Sequence, residues 1–169
     1  MGIITLRKVQ GKQAPRVELG RMYFFRYIPK DLDTLGGTYY DRYPMVFVTK
    51  RRKDYFEGIN YHHLLIKRRI FLFETMTKYF TDNPIEEDTT LFWRKFRRVI
   101  FKLRTLKAGE VSFRKYKIVS VKSKLIEINP MDWERTILIT SELFRSDQNR
   151  QISKNKIWKK NEKLIRSRS

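Results

Sequence analysis

The stretch 90–107 constrains this chain more than any other. Placed at 100° steps, its residues sort into two faces. Phe92, Trp93, Phe96, Val99, Ile100, Leu103 and Leu106 fall in one arc; Arg94, Lys95, Arg97, Arg98, Lys102 and Arg104 fall in the opposite one. A helix of this kind must lay its apolar arc on a core. No acidic residue stands between Leu91 and Lys107, so no ion pair inside the helix offsets the basic arc. Like charges one turn apart, such as Arg94 and Arg98, cost about 0.2–0.5 kcal/mol per pair. The pattern therefore predicts a folded body carrying one helix whose outer face calls for an anion.

Charge elsewhere is clustered too. The 169 residues carry 38 Lys+Arg against 18 Asp+Glu, a net charge of +20. Residues 91–124 hold net +11 and residues 145–169 hold +7, whereas 1–90 hold +5 and 125–144 hold −3. An excess of this size and placement points to a polyanion: nucleic acid, an acidic protein surface or an anionic membrane. No uncharged apolar run approaches the ~20 residues of a membrane span, and the stretch Met1–Lys12 lacks the apolar run of a secretory signal. A membrane is accordingly not expected as a partner. The absence of Cys excludes disulfides, thiolate metal sites and cysteine nucleophiles.

Residues 3–9 are β-prone, and Gly11 to Pro15 break them. Residues 21–28 predict an aromatic strand, followed by a long loop from Pro29 to Pro44 that holds Gly36, Gly37, Tyr39, Tyr40 and Tyr43. Residues 45–50 and 55–61 predict a hairpin across the polar turn Arg51–Asp54, with Gly58 marking a bulge or a close backbone approach. From Leu64 to Phe80 the spacing turns helical. An acidic loop, Thr81 to Glu87, precedes Asp88 or Thr89 as the cap of the 90–107 helix. Ala108-Gly109 are expected to stop that helix. Strands follow near 113–119 and 125–128, with Lys122 and Lys124 at the turn between them, then a short helix from Asp132 to about Ile137. Residues 145–169 are poor in apolar side chains and predict an extended tail that orders on a partner.

Catalytic patterns are weak. His62 and His63 are adjacent, which makes a poor metal pair, and no carboxylate stands at ligand spacing. No Asp or Glu lies two positions before a lysine, as one strand face of a restriction-type nuclease would need. Glu86-Glu87-Asp88 fit a helix N-terminus better than a divalent ion. No Gly-rich phosphate loop and no serine-hydrolase elbow is present. No catalytic residue, metal or cofactor is assigned.

Binding is better supplied. Lys and Arg pair with phosphates and release counterions. The candidate phosphate contacts are Arg94, Lys95, Arg97, Arg98, Lys102, Arg104, Lys107, Arg114, Lys115, Lys117, Lys122, Lys124, Lys159 and Lys160. Tyr39, Tyr40 and Tyr43 are candidates to stack on exposed bases.

Three stretches carry a resemblance: Met22 to Lys30, then Tyr39-Tyr40-Asp41-Arg42-Tyr43-Pro44, then Gly58-Ile59-Asn60-Tyr61-His62-His63-Leu64. Ser120 to Ile128, Asp132-Trp133-Glu134 and Leu143-Phe144 extend it. Together they resemble a small-protein family of T-even-like tailed bacteriophages, whose members are described as DNA end protectors or as virion proteins of head and tail. The likeness runs from Gly20 to Phe144, and departs at His63, where the family pattern has Tyr, and at Gly36-Gly37, which lengthen the first loop. It implies a non-enzymatic phage protein that binds double-stranded DNA, at its ends, through the basic helix face and the tail. The setting would be the virion (head, neck or tail), or the host cytoplasm during assembly, with other phage structural proteins as further partners.

The expected fold is α+β: a small SH3-like β-barrel or curled antiparallel sheet with two helices and a basic C-terminal tail. One domain over 1–144 and a basic extended tail over 145–169 are expected. Two rivals remain: a neck or baseplate protein docking acidic neighbours, and an SH3-like RNA-cleaving toxin using Arg26 or Thr49.

Overall fold

Strands β4 (Met45–Arg51) and β5 (Tyr55–Asn60) form the hairpin at the centre of the fold. β4 reads apolar on both sides, Met45, Val46, Phe47 and Val48 all being buried, and such a strand must be covered on both faces. Gly58 lies where a Cβ would collide with the Phe47 carbonyl, and the register slips by one residue between Val48 and Lys50. Of the two alternatives expected at Gly58 the close approach is present there, and the bulge falls on the facing strand β4, at Thr49.

The computed structural model describes residues 11–30, 32, 38–81 and 89–167. The expected strand at 3–9, the Gly36-Gly37 loop, the acidic loop beyond Thr81 and the Asp88 cap lie outside the described residues.

The main sheet is antiparallel and six-stranded, in the order β1-β7-β2-β4-β5-β6. Its other strands are β1 (Gly11–Ala14), β2 (Met22–Phe24), β6 (Phe113–Lys117) and β7 (Leu125–Ile128). Two expectations change here. Gly11 to Ala14 pair with β7 instead of breaking the chain. The segments at 113 and 125 are not a hairpin, because β6 forms one edge beside β5 while β7 inserts between β1 and β2. The link between them runs back beside residues 26–28, joined by one isolated bridge, Tyr27 with Val121. Among the described residues the sheet runs from β1 at one edge to β6 at the other and does not close into the expected barrel.

Alternate strand residues feed two cores. Met22, Phe24, Met45, Phe47 and Ile59 face helices α1 (Ile66–Thr81) and α2 (Thr89–Thr105). Leu72 and Met76 meet them from α1; Phe96, Val99, Ile100 and Leu103 do so from α2. On the other face Tyr23, Phe25, Tyr27, Phe56 and Tyr116 form an aromatic cluster, with Phe56 and Tyr116 stacked at 5.4 Å. The α2 helix ends at Thr105, before the expected Ala108-Gly109 stop. Those two residues lie inside a further short helix, α3 (Lys107–Ser112), where Gly109 packs against the Leu103 carbonyl with no room for a side chain.

The expected extended tail is folded. β8 (Phe144–Ser146) pairs with β3 (Tyr39–Asp41), which forms inside the expected first loop, and with β9 (Gln151–Ile152). Helix α5 (Lys154–Ser167) follows. Its Ile157, Trp158 and Ile165 are buried. The Trp158 indole donates to the His62 carbonyl, the Asn161 amide to the His63 carbonyl, each at 2.8 Å, and Arg68 of α1 grips Glu162 at 2.8 and 3.1 Å. With α4 (Trp133–Ile137), the short helix expected from Asp132, five helices stand among the described residues; α3 and α5 are the two that were not expected.

Candidate nucleic-acid interface

Because α2 spends its apolar arc on the sheet, its basic arc faces solvent. Arg94, Arg97, Arg98, Lys102 and Arg104 are exposed and Lys95 is half-buried. Arg104 is taken by the fold: it pairs with Glu57 of β5 at 2.6 Å and lies 4.5 Å over the Phe113 ring. Lys102 rests 5.1 Å over the Tyr79 ring of α1. Among the described residues no carboxylate lies within ion-pair distance of Arg94, Arg97 or Arg98. These cations rim a groove of about 530 Å³, whose apolar surface comes from Leu91, Val99, Tyr79 and Phe101. A helix of this length presents its outer cations over roughly 1.5 Å per residue of rise, a row that can follow one phosphate backbone.

The other predicted cations are spread over four places. Along the edge strand β6, Lys115 stands 3.9 Å over the Tyr55 ring and Lys117 is half-buried. Lys107 is half-buried in α3; Lys122, whose ammonium donates to the Val119 carbonyl at 2.9 Å, and Lys124 lie exposed on the link to β7. Lys159 and Lys160 are exposed on α5.

A second cleft, of about 510 Å³, draws together Tyr39, Tyr40, Arg114, Lys115 and Lys160 with His63, Asp41 and Glu110. The Arg114 guanidinium lies 3.3 Å from the His63 ring, and Lys160 lies 5.9 Å over Tyr39. Burial, then the charge of Arg114, holds the His63 imidazole well below its ordinary range, so it is neutral near neutral pH. Tyr40 is largely buried and Tyr43 stacks on Phe24 at 6.4 Å, away from this cleft.

Beneath the second cleft lies a polar network that the sequence reading did not anticipate. Asp41 accepts from His62 Nδ1 at 2.6 Å, from the Asn60 amide at 3.1 Å, and from the backbone N–H groups of Tyr43 and Leu143 at 3.1 and 3.3 Å. The Asn60 amide also donates to the Tyr116 hydroxyl at 3.1 Å. Ser141 Oγ lies 3.3 Å from His62 Nε2, which completes a Ser-His-Asp line. His62 and Asp41 have fully enclosed side chains, and neither of the two clefts opens at Ser141. The line therefore ties three chain segments together. Arg26 and Thr49 line neither cleft, and the Thr49 hydroxyl donates to the Glu57 carbonyl at 3.3 Å. Among the described residues no group of three or more His, Cys, Asp or Glu could hold a metal ion, and no helix is long and apolar enough to cross a membrane.

Comparison with known proteins gives one match. The model of a family described as "Phage T4 terminal DNA protecting protein" aligns with residues 3–161. No curated protein and no solved structure matches.

Proposed function

The chain belongs to the phage T4 terminal DNA protecting protein family, and from that premise we propose that it binds double-stranded DNA at its ends and shields them without chemistry of its own. The observation that carries this reading is the α2 groove, where Arg94, Arg97, Arg98 and Lys102 face outward with no carboxylate of the described chain beside the three arginines. Phosphates supply the missing counter-charge, and binding releases the ions condensed on DNA. Lys115 and Lys117 on the β6 edge, with Lys107, Arg114, Lys122, Lys124, Lys159 and Lys160, add contacts that carry no sequence preference. The protein acts in the phage particle or while it is assembled, beside other phage structural proteins.

Filter binding to linear duplex over a salt series tests the proposal. Affinity is expected to fall steeply with salt, with a slope of about −0.9 per phosphate engaged. The triple substitution Arg94→Glu, Arg98→Glu, Lys102→Glu is expected to abolish binding, and protection from an exonuclease, while circular dichroism stays unchanged. Retained affinity in a folded triple variant, or tight binding to a phage protein with none to DNA, overturns it.

A further inference from the structure

The α2 groove holds one side chain that phosphate binding does not explain. Phe101 is 69% exposed, more than any other aromatic ring among the described residues. It does not belong to the apolar arc. On the helical wheel it sits at the middle of the basic arc, within about 60° of Arg94, Arg97 and Arg98. Among the described residues it makes no ring–ring contact, and neither core includes it. One exposed phenylalanine on a protein surface is unremarkable by itself. This one shares a groove with the Tyr79 ring and two aliphatic side chains, and five cations, Arg94, Lys95, Arg97, Arg98 and Lys102, rim it.

An apolar floor inside a cationic rim suits a ligand that is flat and apolar in the middle and negative at its border. The side of an intact duplex does not have that form. It presents phosphates, and the flat faces of its base pairs are covered by their neighbours in the stack. Only a terminus bares one face of a base pair next to its own phosphates. We propose that Phe101 stacks on the exposed face of the terminal base pair while the surrounding arginines hold the phosphates of the last nucleotides, so that this ring selects DNA ends over DNA interior. The inference rests on the DNA reading above and deepens it: the cations set affinity for any duplex, and the ring sets the preference for a terminus. Stacking of a base on an aromatic side chain is large enough to matter and tolerant of sequence, as recognition of an end must be.

The test compares one relaxed, covalently closed DNA circle with the same circle cut at one, two or several sites, as competitors for the bound protein at equal mass. Competition by the wild-type chain is expected to rise with the number of ends, about tenfold in favour of an end over interior sites. Phe101→Ala is expected to bring cut and closed DNA to the same strength while keeping the affinity for the closed circle and its salt slope. Phe101→Trp is expected to retain the preference, which separates stacking from a folding defect. Equal competition by cut and closed DNA with the wild-type chain overturns the inference and leaves the DNA reading standing. So does an end preference that survives in Phe101→Ala. No binding to either DNA form, or binding to anionic phospholipid vesicles in preference to DNA, overturns both.

Discussion

At the level of single residues, the resemblance motifs acquire a physical meaning. Asp41 of the Tyr-Tyr-Asp stretch, and Asn60 and His62 of the Gly-x-Asn-x-His stretch, are one hydrogen-bonded unit, with Asp41 accepting from both others. Spacing along the chain could not reveal this, since the two stretches meet only once β3 and the turn after β5 are in place. His63 next to this unit has a measurable consequence. Its imidazole is held neutral by burial and by Arg114, so below its unfolded pKa, near 6.5, the unfolded chain takes up a proton that the folded chain refuses. Stability is therefore complete above about pH 6.5 and declines as pH falls toward 5, with a slope of up to about 1.4 kcal/mol per pH unit from this group. Denaturant midpoints measured between about pH 5 and 7 are expected to show the decline, and His63→Gln to flatten it. An unchanged slope in that variant would show that the drop arises elsewhere.

Among the elements, α2 was the most legible and α5 the least. The α2 periodicity is strong: of the residues its wheel turned inward, Phe96, Val99, Ile100 and Leu103 are buried, and Phe92 and Leu106 are half-buried against the same core. Trp93, placed at the margin of the same arc, stays 38% exposed. The hairpin β4–β5 and helix α1 were equally readable from alternation and from three- and four-residue steps. The fold of 145–169 was hidden by composition: Lys, Arg and Ser dominate, yet Ile157, Trp158 and Ile165 recur at helical spacing and all three are buried. Counting polar residues suggested disorder where spacing would have suggested a docked helix. Phe101 was equally open to the wheel, which places it among the arginines. Trp158 carries the α5 docking through its ring and through the hydrogen bond to the His62 carbonyl. Trp158→Ala is expected to cost on the order of 3–5 kcal/mol, read as a lower denaturant midpoint. A loss of under about 1 kcal/mol would mean that α5 adds little to stability.

For the molecule as a whole, charge and topology set the behaviour. A net charge of +20 on 169 residues is self-repelling. Raising salt from about 50 to 500 mM is expected to raise the melting temperature by screening that repulsion, and linear DNA at low salt to raise it further by binding the folded form more tightly than the unfolded chain. A melting temperature indifferent to both would show that the charges are already balanced within the fold. The α+β class was legible from the alternation of strand and helix signals, but the strand order was not. Hairpin logic pairs neighbours in sequence, and here β7 reaches past them.

That insertion shapes how the chain must come together. Strands β1 and β2, near the start of the described chain, touch only through β7, formed by Leu125 to Ile128. Until those late residues arrive, one flank of the growing sheet has bare backbone donors and acceptors, open to wrong partners. Such long-range closure is slow, in the millisecond-to-second regime more than the microsecond one. The polypeptide thus carries a hazard of aggregation early in its life, which ends when Leu125 to Ile128 cover that flank.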